Sequence, residues 1–508
     1  MPPTHLNRLE LRYNSDSVPL FESIRSQPFP VFLDSSQFGG TFGRFDILCA
    51  DPELLLSHNK GPQNNGQTRL TRRDGRCELL DSRPLAALRQ ILLQQGFNGI
   101  PTPDLPFCGG ALGYFSYDLE SDSNPLNSLE LVNSLEPVDS LEPVDSQTAE
   151  ASSLERDNSL ERDNSLPQMQ VGIYPWAIIV DHQLQVTTLV SQSLTQQQLL
   201  AIKESFSITP PGPFNLESAF VSNLDKSAYL ARFQQVLDYI HAGDCYQVNL
   251  AQRFSCDYRG DPWSAYLQLR RQTNTPFSAY IETPGGCLLS LSPERFLQVA
   301  DGRVETRPIK GTRPRHPSPR QDQQLRQELS CSPKDRAENL MIVDLLRNDL
   351  GRNCITGSVK VPELFKIESY ANVHHLVSTV TGQLAHPIEV IDLLQSCFPG
   401  GSITGAPKIR AMQIIAELEP HPRSAYCGSI GYIGFNGQMD SNICIRTLVA
   451  TRDQDDGAAG AVSDNTQGQL HCWAGGGIVA DSEGDAEYQE TFDKVNNLIQ
   501  CLEQHFLR

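Results

Sequence analysis

The residues of this 508-residue chain best placed to do chemistry start with a lysine. Lys310 lies in Arg307-Pro308-Ile309-Lys310-Gly311-Thr312, shortly after Leu291-Ser292-Pro293-Glu294-Arg295-Phe296. An amine on a turn punctuated by Pro and Gly, near a carboxylate on the preceding strand, can be a nucleophile with an acid or base beside it. Alone, it is an ordinary surface lysine of a hairpin, because lysine is mostly exposed. Its company changes that reading. In Ser332-Pro333-Lys334-Asp335-Arg336-Ala337-Glu338 the serine suits an N-cap, Pro333 the first helical position, and Asp335 closes a capping-box-like pair. Asp335 reads as a charge favoured by the helix dipole. Glu338 falls one turn further in, where the helix continues as an apolar run. Ala474-Gly475-Gly476-Gly477-Ile478 offers backbone amides to a carboxylate. Glu487 and Glu490 follow at i, i+3 on one helix face, and Lys494 continues that face. Such carboxylates suit Mg²⁺ that keeps several waters; taken alone, Glu490 and Lys494 are a commonplace ion pair on a solvated helix.

Three more stretches bear chemistry. Pro399-Gly400-Gly401-Ser402-Ile403-Thr404-Gly405-Ala406-Pro407-Lys408 opens onto a helix from Ile409 to Glu417, with Pro407 expected as its first residue. The loop lacks the GxxxxGK[ST] spacing of a nucleotide phosphate loop, yet a helix N-terminus can still receive an anion. Arg446, in Cys444-Ile445-Arg446-Thr447-Leu448, is expected as one arginine in an apolar strand, where a carboxylate ligand would fit its bidentate fork. Of His374-His375 one is expected to be structural, and either could do proton work.

The elements that must hold these residues read as α+β, with large, mostly antiparallel sheets and flanking helices; neither a βαβ rhythm nor a GxGxxG pattern is present. Strands are predicted at 29–33 and 45–49, a helix at 84–93, a strand over 171–180 and an amphipathic helix over 225–241. Two regions are expected, 1–215 and 220–508, joined at the Pro-rich break Pro210-Pro211-Gly212-Pro213. Between about 119 and 166 the hexapeptides Ser134–Asp139 and Ser153–Asn158 each repeat at once. That period fits neither helix nor strand, and the segment lacks aromatics, so it reads as a disordered insertion. It holds twelve Asp/Glu against two Arg, a net of −10 out of the chain's −19. Asp453 to Gln469 reads as an exposed loop. No basic footprint for nucleic acid is present, and no apolar run approaches the roughly 18 residues of a membrane span. Thirteen cysteines without Cys-x-x-Cys spacing, and a start unlike a secretion signal, predict a cytoplasmic protein with reduced thiols.

Taken together, these stretches resemble the chorismate-utilising enzymes. Similarity runs densely from Gly243-Asp244-Cys245-Tyr246-Gln247-Val248-Asn249-Leu250 to Asn496, and more thinly at Phe45-Asp46 and Gly109-Gly110-Ala111-Leu112-Gly113-Tyr114; the repeats have no counterpart. The resemblance implies the following roles. Glu338, Glu487 and Glu490 match magnesium positions. Arg446, Tyr426, Ser402, the amides of Gly475 and Gly477, and Lys494 match positions that hold the substrate's two carboxylates. Glu294 matches the general acid at the C4 hydroxyl, and His375 the histidine beside it. Lys310 marks a subgroup: relatives that form aminodeoxychorismate carry lysine there and are thought to attach it to C2, whereas anthranilate-forming relatives carry a small residue. Isochorismate- and salicylate-forming relatives place a water-activating lysine where this chain has Gln247. The implied activity is amination of chorismate, toward p-aminobenzoate and folate. Because the chain has no Gly-x-Cys-x-Gly nucleophile turn, the ammonia is expected from a glutamine amidotransferase partner. The region Phe32-Leu33-Asp34-Ser35 resembles the part where relatives hold tryptophan. Anthranilate synthase component I is the alternative enzyme reading, and a non-catalytic ligand-binding subunit the alternative outside enzymes.

Overall fold

A computed structural model describes residues 6–35, 42–59, 66–100, 102, 104–121, 166–273, 275–370, 373–453 and 466–507. The hexapeptide repeats and most of the 453–469 loop lie outside these residues. Among those described, two antiparallel sheets of thirteen and twelve strands form. Their alternation is visible in the burial. Val31, Ile47, Ile281 and Leu288 point into a core that also takes Leu56, Leu112 and Met439 from the second sheet. Their chain neighbours Phe32, Leu48, Tyr280 and Leu289 point the other way, against Phe21, Trp263, Leu498 and Leu502. The first sheet is thus buried on both faces, which is why its strands read as unbroken apolar runs. Helix Gly484–Phe506 packs on the Gln467–Ile478 strand, and helix Pro333–Gly351 on Val373–Gln383 of the second sheet. The α+β expectation holds.

Strands from both regions share both sheets: Val31–Asp34 pairs with Phe277–Thr283, and Gly110–Phe115 with Ser429–Gly434. The Pro-rich break between them is fastened, with Gly212 N donating to Asp261 (2.9 Å) and Ser264 Oγ to the Gly212 carbonyl (2.5 Å). The strand predicted at 29–33 is found at Val31–Asp34, that at 45–49 is present, and so are the helices Pro84–Gln94 and Lys226–His241, the last capped by Asp225. The single strand predicted over 171–180 is corrected. Met169–Tyr174 belongs to the second sheet and Ala177–Asp181 to the first, with the break at Pro175, which has no N–H for a ladder. All thirteen cysteines are unpaired. Among the described residues no helix is long and apolar enough to cross a membrane.

Candidate active site

Two further steps between the sheets carry residues singled out by the sequence. The chain leaves the first sheet at Ser292 and enters the second at Arg295, with Glu294 on the step. It returns from Asn442 to Thr447, with Arg446 on that step. The steps are bound to each other: Ile443 N donates to the Glu294 carbonyl (3.1 Å), Leu291 N to the Arg446 carbonyl (3.0 Å), and Ser292 Oγ to the Ile443 carbonyl (2.6 Å). The expectation that Arg446 sits within a strand is therefore corrected: it precedes one, in left-handed backbone at φ 51°. Solvent reaches the side chain, yet burial pushes its pKa below the ordinary arginine value. A group both reachable and crowded faces a crevice. Its guanidinium makes no hydrogen bond or ion pair with a described residue, and such a fork is matched by a carboxylate. Arg446→Gln is expected to raise KM for an anionic substrate roughly 10- to 100-fold, the scale of about 1.5–3 kcal/mol for a hydrogen bond to a charge, with a smaller change in kcat. Steady-state kinetics would remove Arg446 from the site if KM held.

Lys310 is aimed by an irregular strand. Ile309–Pro314 pairs with Val373–Gln383, but the register shifts between Ile309 and Thr312, and such a bulge re-aims the side chains within it. Gly311 makes the bend at φ 83°, where a Cβ would come 2.8 Å from Asp335 Cγ, so the position requires glycine. Lys310 Nζ donates to Glu338 Oε1 (2.9 Å) and to the Ser402 carbonyl (3.1 Å). Glu338 also accepts from Gln247 Nε2 (3.1 Å), and Ser402 Oγ donates to Glu294 Oε1 (3.1 Å). The amine and the Glu294 carboxyl therefore stand on either side of one serine. Burial raises the Glu294 carboxyl to about 7, against the charges of Lys310 and Lys494 and the Ser402 hydrogen bond. It can hold a proton near neutrality and release it on demand. For Glu338, burial pulls up, but the Lys310 charge and hydrogen bond, aided by Gln247, win and hold the carboxyl below its usual range. The helix that carries Glu338 starts at Ser332, whose oxygen accepts from Asp335 N (3.3 Å). Asp335 does not close a capping box; its carboxylate takes Arg313 (3.1 Å) instead.

The histidines divide as their contacts dictate. His374 is buried between Ser369 Oγ (2.7 Å) and Asp322 (3.1 Å) and is structural. His375 bonds Thr312 Oγ1 (2.9 Å); burial, then the charge of Arg446, push its pKa to about 4, so it is neutral at pH 7. Ser402 lies in a short 3₁₀ turn, and Gly405-Ala406 pairs with the Gln247–Gly260 strand. Pro407 is the N-cap of helix Lys408–Leu418 rather than its first residue. Tyr426 is buried, its ring parallel to Trp473 at 6.3 Å.

The glycine run lies opposite Ala251 and Asn249 in the long Gln247–Gly260 and Gln467–Ile478 pair. A Cβ on Gly477 would come 2.1 Å from Gln247 Nε2 and 3.4 Å from Glu338 Oε1; one on Gly476 would come 2.7 Å from Glu487 Oε2 and 3.4 Å from Glu490 Oε1. Gly475 is packed as closely, with a Cβ falling 2.5 Å from the Leu250 carbonyl. The three predicted metal carboxylates thus gather around one strand, Glu338 by Gly477 and the helical pair by Gly476. Among the described residues no three His, Cys, Asp or Glu side chains converge closely enough to hold a metal alone. Glu338 is engaged by Lys310, Glu487 by Ser482 (2.7 Å), and Glu490 by Lys494 (2.7 Å), which also donates to the Gly475 carbonyl (2.7 Å). Burial raises the Glu487 carboxyl, Ser482 opposes this, and Glu490 adds to it. Hard oxygen donors with local negative charge fit a Mg²⁺ that keeps waters and shares a ligand carboxylate, rather than an all-protein cage.

Sequence reasoning passed over Thr312, which orients His375, and Arg423, a buried cation beneath the Ser402 turn. Neither stands in a local pattern that announces a role. A separate cavity of about 670 Å³ is lined by Asp34, Ser35, Arg44, Phe277, Arg295 and Asp440. It contains part of the region whose sequence resembles the tryptophan-holding part of relatives.

The sequence profile of the family described as chorismate binding enzyme matches residues 43–500. Aminodeoxychorismate synthase component 1 of Klebsiella aerogenes is 47% identical over 483 residues, covering 95% of this chain and 96% of that one. Anthranilate synthase component 1 of Synechocystis sp. is more distant, 36% identical over 94% of this chain and 91% of its own. The crystal structure of anthranilate synthase component I from Streptococcus pneumoniae TIGR4 superposes with a TM-score of 0.68 at 27% identity, covering 91% of this chain and 94% of that one. With its site built on the two sheet crossings and its similarity spanning nearly the whole length, the chain belongs to the chorismate binding enzyme family.

Proposed function

We propose that this chain aminates chorismate at C4 to give 4-amino-4-deoxychorismate, in the cytoplasm, on the way to p-aminobenzoate and folate. The observation that carries the reading is the placement of Lys310 and Glu294 on either side of Ser402. The Lys310 amine adds to C2; the ring double bonds shift; the C4–O bond breaks, and the hydroxyl leaves as water with the proton of Glu294. Ammonia then adds at C4, the double bonds shift back, the C2–N bond breaks to return the neutral Lys310 amine, and the C4 ammonium gives a proton back to Glu294. Arg446, with Tyr426, Ser402, Lys494 and the amides of Gly475 and Gly477, holds the two carboxylates. Neutral His375 lies within reach of the Arg446 charge and accepts or donates a hydrogen bond at the leaving hydroxyl. Glu338, Glu487 and Glu490 would hold Mg²⁺, which when bound would neutralise the ring carboxylate. A Glu338 engaged in that way no longer pins Lys310 as an ion pair. The relatives' designation as component 1 supports a second component, and a glutaminase subunit is the proposed source of ammonia.

Purified chain with chorismate, Mg²⁺ and an ammonium salt is expected to yield the mass of aminodeoxychorismate, and none after chelation. Glutamine should replace ammonium only when a glutaminase subunit is added. An anthranilate mass would overturn the reaction assigned, turnover in chelator the metal, and glutamine use by the single chain the partner.

A further inference from the structure

Beneath the Ser402 turn lies a cation whose side-chain hydrogen bonds go to none of the side chains assigned to substrate or metal. Arg423 is 1% exposed, so its guanidinium does not reach the crevice. All its polar contacts are with protein. Nε and Nη2 form a two-pronged pair with Glu419 Oε2 (2.9 Å) and Oε1 (2.7 Å). Nη1 donates to the Ile403 carbonyl (3.0 Å), and Nη2 to the Asn249 carbonyl (2.9 Å) and more weakly to Asn249 Oδ1 (3.4 Å). The Tyr117 and Tyr426 rings stand 4.6 and 5.7 Å from its central carbon. Glu419 in turn accepts from Ala251 N (2.9 Å).

Both Nη groups reach backbone next to a site residue, and Glu419 reaches Ala251 N. Ile403 follows Ser402, the serine between Lys310 and Glu294. Asn249 and Ala251 lie opposite Gly477 and Gly475. Arg423 itself precedes by three residues Tyr426, whose N–H returns to the Arg423 carbonyl (2.9 Å). A planar fork of five donors ties two backbone carbonyls and a carboxylate at once; a lysine ammonium has three donors and no fork. We infer that Arg423, seated on Glu419, is a positioning residue that sets the place of Ser402, and through it the alignment of Lys310 with Glu294. The inference rests on the proposed roles of those two residues.

Arg423→Lys keeps the charge for Glu419 and loses the fork. It is expected to lower kcat with saturating ammonium about 10- to 100-fold, since a misplacement of about 1 Å can cost on the order of 100-fold. KM for chorismate should rise less than kcat falls, because Arg446 is not disturbed, although Ser402 and Tyr426 also belong to the proposed carboxylate-binding groups. Arg423→Met combined with Glu419→Leu removes both buried charges together and should show the same split, with thermal unfolding confirming a folded protein. On a Ser402→Ala background, which keeps the carbonyl that holds Lys310 but removes the hydroxyl that meets Glu294, the Arg423→Lys loss should shrink, because part of it acts through that hydroxyl. Wild-type kcat in a folded variant, equal effects on kcat and KM, or a full additive loss beside Ser402→Ala would each overturn the inference. The rate is read as chorismate consumed. The wild-type product mass tests the reaction, and the ratio of variant to wild-type rate tests Arg423 whichever product forms.

Discussion

Lys310→Ala is expected to abolish aminodeoxychorismate formation, with kcat falling on the order of a thousandfold, about 4 kcal/mol of barrier, while chorismate still binds. Most of the proposed binding groups are spared: Arg446 sits on the Asn442–Thr447 crossing, the glycine amides belong to a strand to which Lys310 makes no hydrogen bond, and only the Ser402 carbonyl loses a partner. Removing the amine leaves Glu338 with Gln247 alone, and opens room at C2 of the kind that anthranilate-forming relatives are implied to have. Some ammonia is then expected at C2, giving an anthranilate-type product. Intact-protein mass after rapid quench should show a ring adduct on the wild type and none on the variant. Wild-type turnover by Lys310→Ala would reduce Lys310 to an electrostatic aid.

Glu294→Gln tests the acid. Glutamine can still accept from Ser402, but it has no proton to give, and losing a general acid costs about 10²–10⁴ in rate. The pH dependence has a defined sign. With its carboxyl raised to about 7 by burial, Glu294 is protonated and active below that pH, so wild-type kcat should decline as pH rises through 7. The variant should lack that limb. Stability follows the same proton. A carboxyl raised in the folded state contributes stability at low pH that is lost as pH rises toward about 7; Glu294→Gln should remove this slope from the midpoint of thermal unfolding. A variant with the wild-type alkaline limb would show that another group titrates there.

How much of this was legible in the chain depended on range. Lys310, Glu294 and the glycine run announce themselves through unusual local composition, and the helix start at Ser332 through its capping chemistry. Which carboxylate holds Lys310 did not, because Glu338 meets it only after a helix and a bulged strand pack together. Arg446 was expected in a strand because its neighbours are apolar. Those neighbours are buried since the chain is changing sheets, and the arginine takes the left-handed step between them. The 171–180 run failed in the same way: Pro175 divides one apolar stretch between two layers. Both sheets bury these runs, so hydrophobicity carries no mark of which sheet a segment joins. Arg423 was invisible for the opposite reason, since its partners Ile403 and Asn249 are backbone carbonyls and leave no trace in residue identity.

The two bound crossings make the crevice a gauge. Glu294 and Arg446 ride on the seams where one layer passes into the other, and the seams are laced to each other through Ile443 and Leu291. The span between the Glu294 carboxyl and the Arg446 guanidinium is therefore tied to how the two layers meet. Widening that span would strain the hydrogen bonds between the seams, and with them the packing of one layer on the other. Conversely, a change of volume deep in that interior, far from any reacting atom, resets the calibration of the instrument.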